Sequence, residues 1–231
     1  TLSLPYCYAA ADGVKVLYFS QRLHQDAFRR LQETARFVRF VNKAAHWQKP
    51  DLLQSYILKI RLFHAFIRFK LKNTPTWDSA WGLAVNQEDM AGTNLSFSYI
   101  VLRGLRRLGY QASPQEAEDY LHLWNVVGAL LGVEEALLPE NLKEAFYLDK
   151  VIAQRQFRGS TEGQVLTKAL LEVFETQAPG RLYYEILLAT MHHVLGKEIC
   201  HILQVPQSFS QKTLTQVIKL RSQWQYLTNI I

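Results

Sequence analysis

The chain is poor in several features that would mark a protein class at once. It carries two cysteines in 231 residues, Cys7 and Cys200, far apart and without C-x-x-C spacing. That excludes a disulfide scaffold and a zinc knuckle, and a reducing compartment fits it. Glycine (11) and proline (7) are sparse, about 8% together, against roughly 12% in average usage. Helices can therefore run with few breaks. No apolar run reaches the ~18–20 residues of a membrane-spanning helix; the best, Val126–Val133, ends at Glu134. No signal peptide is expected from its opening residues. These absences set the expectation of a cytoplasmic protein without an integral membrane segment. With 48% hydrophobic residues and no low-complexity tract, the chain is not disordered. No Gly-rich phosphate loop, nucleophile elbow or triad order occurs, which removes the ordinary kinase and hydrolase readings.

Acidic residues are the scarcer charge: 26 Lys and Arg face 20 Asp and Glu, a net charge of +6. Half of the basic residues fall in the first 72 positions, beside only Asp12, Asp26, Glu33 and Asp51. No basic run exceeds two residues and no recognition motif accompanies them, so nucleic acid is not the expected partner. A basic half surrounding something anionic is the more useful reading.

What the chain does have is helix signals. They predict helices over 20–43 and 50–71, then one from an Asn86 cap to Leu108. Ser113-Pro114-Gln115-Glu116 reads as a capping box with proline at the first helical position. Pro139, Ser160, Pro179 and Ser210 open four more helices, the last three ending near 177, 203 and 227. Residues 14–19 alone suggest a strand. The expectation is an all-α single domain, residues 1–231, of about eight helices.

Two helices carry an anomaly. On the first, Leu23, Ala27, Phe37 and Val41 form a buried stripe at 100° per residue, and Arg30 and Thr34 fall in its middle. A guanidinium there needs an anion or several acceptors. The second is apolar around nearly its whole circumference, which reads as a central helix. Its polar residues make two narrow stripes, Lys59 with Lys70, and Arg61 with His64 and Arg68. Neutral imidazole is a common metal ligand and arginine pairs carboxylates bidentately. Haem would supply both a metal and two carboxylates; a core histidine bonded to a carbonyl is the plain alternative.

Three segments, RLFHAFIR (61–68), NQEDMAGTNLSFSYIVLRGLRRLG (86–109) and EAEDYLHLWNVVGALLGVEEALLP (116–139), resemble the rubber-oxygenase family. That family comprises latex clearing protein and the MpaB-type oxygenases, and the resemblance is good over 23–139. It implies a globin-related helical core holding a b-type haem, with His64 as the iron ligand. Arg61 and Arg68 would then pair the haem carboxylates or support the ligand from behind, with Thr93 a further cofactor contact. It also implies Arg30 and Thr34 beside bound dioxygen, and an apolar, olefinic or isoprenoid substrate that is oxygenated or cleaved. Two departures stand out. Glu33 occupies the position where rubber-cleaving members have a lysine, and no glutamate occurs near Val14, where they have a candidate base. Glu33 therefore either takes an acid–base role or holds Arg30 three residues back. A haem-binding protein that has lost catalysis is the competing reading.

Other residues have quieter readings. Ala91, Gly92, Thr93, Ser96 and Ser98 make one helix small-sided, suited to close packing against a helix or a flat macrocycle. Trp124 and Asn125 read as packing. His192, His193 and Glu198-x-x-His201, with Asp119-x-x-His122, keep a di-iron bundle as a third possibility.

Overall fold

The computed structural model describes residues 3–20 and 27–209, with Thr213 and Gln216 beyond them. Among these residues the regular structure is helical, apart from one isolated β-bridge between Ala10 and Phe157. Two short helices open the chain, α1 (Ser3–Tyr8) and α2 (Gly13–Phe19). The second covers the segment expected as a strand. Its residues favour strands, yet the Val14 N–H donates to the Ala10 carbonyl, Lys15 Nζ donates to the Ala11 carbonyl, and Val14 and Val16 are buried. Packing against other helices decides here over local propensity.

Helix α3 spans Ala27–Val41; the expected start of that helix, with Leu23, lies outside the described residues. One turn, α4 (Ala44–Trp47), leads to α5 (Pro50–Lys72). The expectation that α5 is central is not met. Leu53, Ile57, Ile67 and Leu71 are buried, but Leu58, Leu62, Phe66 and Phe69 are exposed. The centre belongs to α6 (Gln87–Phe97), whose Met90, Ala91, Asn94, Leu95 and Ser96 are all buried. Its small side chains let neighbours approach from several directions, and it packs against α1, α8 (Pro114–Leu131) and α9 (Leu142–Gln156).

The long helix expected from Asn86 to Leu108 is two helices. Ser98 leaves helical backbone geometry (φ −106°, ψ −90°) and its Oγ donates to the Asn94 carbonyl, a local bond that competes with the helix ladder. The chain resumes as α7 (Tyr99–Arg107). The capping box at the start of α8 closes in both directions: Glu116 N–H donates to Ser113 Oγ at 3.2 Å, and Ser113 N–H to Glu116 Oε2 at 2.8 Å. Pro139 does not open the next helix. A 3-10 turn, Glu135–Leu137, precedes it, and Asn141 caps α9 through the Glu144 N–H. Ser160 caps α10 (Thr161–Gln177) as expected. The helix expected to run from Pro179 to Leu203 divides into α11 (Arg181–Leu195) and α12 (Lys197–Ile202) at Gly196, whose φ of +94° suits glycine alone. The helix expected over 210–227 lies outside the described residues. The described chain thus has twelve α-helices, several of them short, where about eight longer ones were expected.

The interior forms three apolar clusters. Tyr6, Val14, Leu170 and Met191 belong to one; Leu71, Leu95, Leu121 and Ile152 to another; Val41, Trp124 and Val127 make the smallest. A cavity touches all three through Tyr6, Ile152 and Trp124. No described helix is long and apolar enough to cross a membrane.

Candidate functional site

The cavity has a volume of about 360 Å³, and α1, α2, α3, α5, α6, α8 and α9 contribute to its walls. Its lining is mainly apolar, with Phe37, Ile60, Phe63, Phe97 and Leu131 prominent. Five residues singled out in the sequence meet there: Arg30, Glu33 and Thr34 from α3, His64 from α5, and Thr93 from α6. Arg30 and Thr34 stand one turn apart on the same side of α3, both half-buried.

His64 is the group whose surroundings are least complete. Its Nδ1 is buried and has no hydrogen-bond partner among the described residues, so no described carbonyl ties that nitrogen. Burial lowers the imidazole pKa below its ordinary value, and the charge of Arg68 lowers it further. The ring is therefore neutral near pH 7, the form that ligates a metal.

Arg61 and Arg68 flank His64 on α5 but do not line the cavity. Arg61 Nη1 donates to the Leu130 carbonyl at 3.2 Å, joining α5 to α8. Arg68 Nε donates to the Val85 carbonyl at 3.0 Å, and its Nη2 lies 3.1 Å from Met90 Sδ. Val85 itself lines the cavity with φ at +55°, a costly conformation for a β-branched residue. The bond from Arg68 helps hold that strained segment in place.

The arrangement in which Glu33 holds Arg30 is not formed. Glu33 Oε1 instead accepts from Arg29 Nε at 3.0 Å, in an exposed pair one helical turn apart. Arg30 has no ion pair among the described residues. The i,i+4 spacing brings the Arg29 and Glu33 side chains together on the outer face, whereas Arg30 turns inward.

Two other carboxylates of the lining are engaged. Asp149 accepts from the Tyr6 hydroxyl at 2.6 Å and from Arg103 Nη1 at 3.3 Å. Burial raises its pKa, against the pull of Tyr6 and Arg103. Glu88 accepts from Arg155 at 2.7 Å and from Gln156 at 3.1 Å. Asp89 lies in the first turn of α6. It lines the cavity, and burial, with Glu88 and Asp12 nearby, pushes its carboxyl up to about 7. A β-carbon at Gly13 would come within 2.8 Å of Asp89 Oδ1, so the α2 start closes on that carboxyl only because the residue is glycine. Contacts between residues so distant in sequence leave no local pattern.

The remaining candidates are structural. Trp124 is buried and stacks on Phe97 with centroids 5.4 Å apart, and Asn125 donates to the Pro139 carbonyl. His192 Nε2 lies 2.9 Å from the Pro206 carbonyl and His193 Nε2 2.7 Å from that of Arg107. Glu198, His201, Asp119 and His122 are exposed. Among the described residues no three His, Cys, Asp or Glu side chains cluster to hold a metal, which leaves the di-iron reading without a ligand set.

The fold and cavity define an all-helical protein with one histidine set at an apolar chamber. Residues 8–222 match the family described as "ER-bound oxygenase mpaB/B'/Rubber oxygenase, catalytic domain", and the chain belongs to that family. The rubber oxygenase of Streptomyces sp. (strain K30) is 28% identical over 145 residues, covering 62% of this chain and 35% of that protein. The structure of latex clearing protein LCP in the closed state shares the fold, with a TM-score of 0.73 and 20% identity. That alignment covers 96% of this chain and 64% of the other. The chain thus spans about a third of the first relative and under two thirds of the second.

Proposed function

We propose that this chain is the haem b-binding oxygenase domain of an enzyme acting on an apolar, olefinic or isoprenoid substrate with dioxygen. The observation that carries the reading is the buried, unpartnered Nδ1 of a neutral His64 at the wall of an apolar cavity. A single neutral imidazole among Phe, Leu and Ile side chains fits a b-type haem held by one protein ligand. It fits a polydentate hydrated metal poorly. His64 would hold the iron, and Thr93 would line the chamber beside the macrocycle. When bound, haem supplies the capture and activation of dioxygen.

The chain's own residues then have separable tasks. Thr34 Oγ1 and the Arg30 guanidinium can donate hydrogen bonds to oxygen atoms within the chamber. The apolar lining excludes water and receives the hydrocarbon. Arg61 and Arg68, engaged with the Leu130 and Val85 carbonyls, act by supporting α5 rather than by pairing propionates, and the Arg68 charge, after burial, helps keep His64 neutral. Glu33, already paired with Arg29, sits at the rim. Asp89 is the better placed carboxyl for holding and releasing a proton near neutral pH. Oxidative cleavage of an alkene by one dioxygen gives two carbonyls, with no net gain or loss of protons.

Turnover tests the reading. Hemin-loaded protein, given air and an isoprenoid oligomer or another unsaturated lipid, is expected to yield carbonyl products that Thr34→Ala and Arg30→Gln reduce. Stable haem binding without turnover across such a panel would instead support the competing role, a haem-binding protein without catalysis.

A further inference from the structure

Helix α5 has two faces with different employment. The inner face buries Leu53, Ile57, Ile67 and Leu71, and Ile60 and Phe63 help to line the cavity. Roughly opposite the buried residues at 100° per residue run Leu58, Leu62, Phe66 and Phe69, which are 55%, 61%, 57% and 71% exposed. Isolated exposed apolar residues are ordinary, but an aligned stripe of this kind marks a contact surface. Basic residues flank it on both edges: Lys59 and Lys70 on one, Lys72 with Arg61 on the other. The only acid on the helix is Asp51, in its first turn.

We propose that this outward face of α5 lies on an anionic lipid bilayer, with Leu58, Leu62, Phe66 and Phe69 entering the interface and the flanking lysines meeting the headgroups. A stripe of large apolar side chains between two rows of cations is the pattern of a helix lying in the membrane plane. Long lysine side chains reach outward to headgroup charge while their stems cover apolar surface. Charge also argues against a second copy as the occupant. Two α5 stripes pressed together would bring rows of lysine and arginine side by side, with one aspartate per helix to offset them. The neighbouring α3 adds Arg36 and Arg39, both exposed, to the positive field. The location also has a consequence for an apolar ligand. One helix would separate the lipid phase from the cavity, so a water-insoluble substrate need not cross solvent to reach it. This docking does not depend on whether haem is held, so its test is separate from the turnover test.

The experiment is vesicle flotation of the whole chain with two lipid compositions, phosphatidylcholine alone and phosphatidylcholine mixed with phosphatidylserine. The expected result is flotation with the anionic vesicles, about tenfold weaker with neutral ones and weakened by high salt. Leu62→Ser/Phe66→Ser/Phe69→Ser should lose flotation with both compositions. Lys59→Glu/Lys72→Glu should lose the preference for the anionic one. Circular dichroism of both variants checks that exposed substitutions have left the fold intact. Absence of flotation by the wild-type chain would overturn the proposal, as would flotation unchanged in both variants. So would light scattering showing a dimer that the triple serine variant converts to a monomer, since the stripe would then belong to a second copy.

Discussion

The two sides of the cavity treat their charged groups differently. On the side built by α1, α6 and α9, Asp149 is bonded by Tyr6 and Arg103, and Glu88 by Arg155 and Gln156. Among the described residues, Asn94 Oδ1, Gln156 Oε1 and Arg103 Nε are left without a partner there, but the Arg103 charge itself is met by Asp149. On the side built by α3 and α5, Arg30 lacks an ion pair and His64 Nδ1 lacks a partner among the described residues, although both line the same chamber. Groups whose bonds close within the protein hold the fold. Groups left open at a cavity wall are those a ligand must complete, because burying them unmet costs free energy. The first side is mainly scaffold, with Asp89 and Thr93 facing the cavity from it, and the second carries most of the open groups.

That division predicts that substitutions on the paired side damage stability, whereas those on the open side change ligand behaviour at little structural cost. The largest expected effect is Asp149→Ala. It strands the Tyr6 hydroxyl and the Arg103 guanidinium and should cost about 3 kcal/mol in urea unfolding. A loss under about 0.5 kcal/mol would mean the pairing does not hold this wall. Asp89 comes next, and its sign is opposite. Its carboxyl favours the protonated form in the folded state, so its contribution to stability is present below pH 4 and fades as pH rises toward about 7. Asp89→Asn should therefore stabilise the protein by about 1–2 kcal/mol above pH 7 and have little effect near pH 4. Equal effects at both pH values would break the assignment.

Arg30→Met, on the open side, should change unfolding free energy by no more than about 0.5–1 kcal/mol while altering oxygenation. A large destabilisation would show that Arg30 is a scaffold residue after all. Glu33→Gln should have the smallest effect, about 0.3 kcal/mol, because it removes one exposed i,i+4 pair. Its haem content should match the wild type. A strong loss of turnover in that variant would return Glu33 to an acid–base role.

Much of this was legible in sequence, and unevenly. The Ser113 capping box, the Ser160 cap and the Pro50 start were read correctly because capping is a local matter of a few residues. Arg30, Thr34 and His64 were legible because each breaks an apolar pattern, and the fold brings them to one cavity. The strand expected over 14–19 failed because burial of Val14 and Val16 in the tertiary structure outweighed their intrinsic preference. Helix α5 was misread as central because an apolar circumference does not say which neighbours cover it, and α6 took the centre with smaller side chains. The engagement of Arg61 and Arg68 with carbonyls on other segments, and of Asp89 with Gly13, depends on contacts across the chain that no spacing rule encodes.

The central claim is that His64 is an open ligand position rather than a core histidine. Its most direct measurement is the absorption spectrum after hemin addition and gel filtration, for the wild type and His64→Ala, with thermal unfolding of both before hemin is added. The account predicts a Soret band that stays with the wild-type protein and is lost in His64→Ala, while the haem-free melting temperatures remain close. A wild-type protein that emerges colourless, or a His64→Ala variant that keeps the same band, would contradict it.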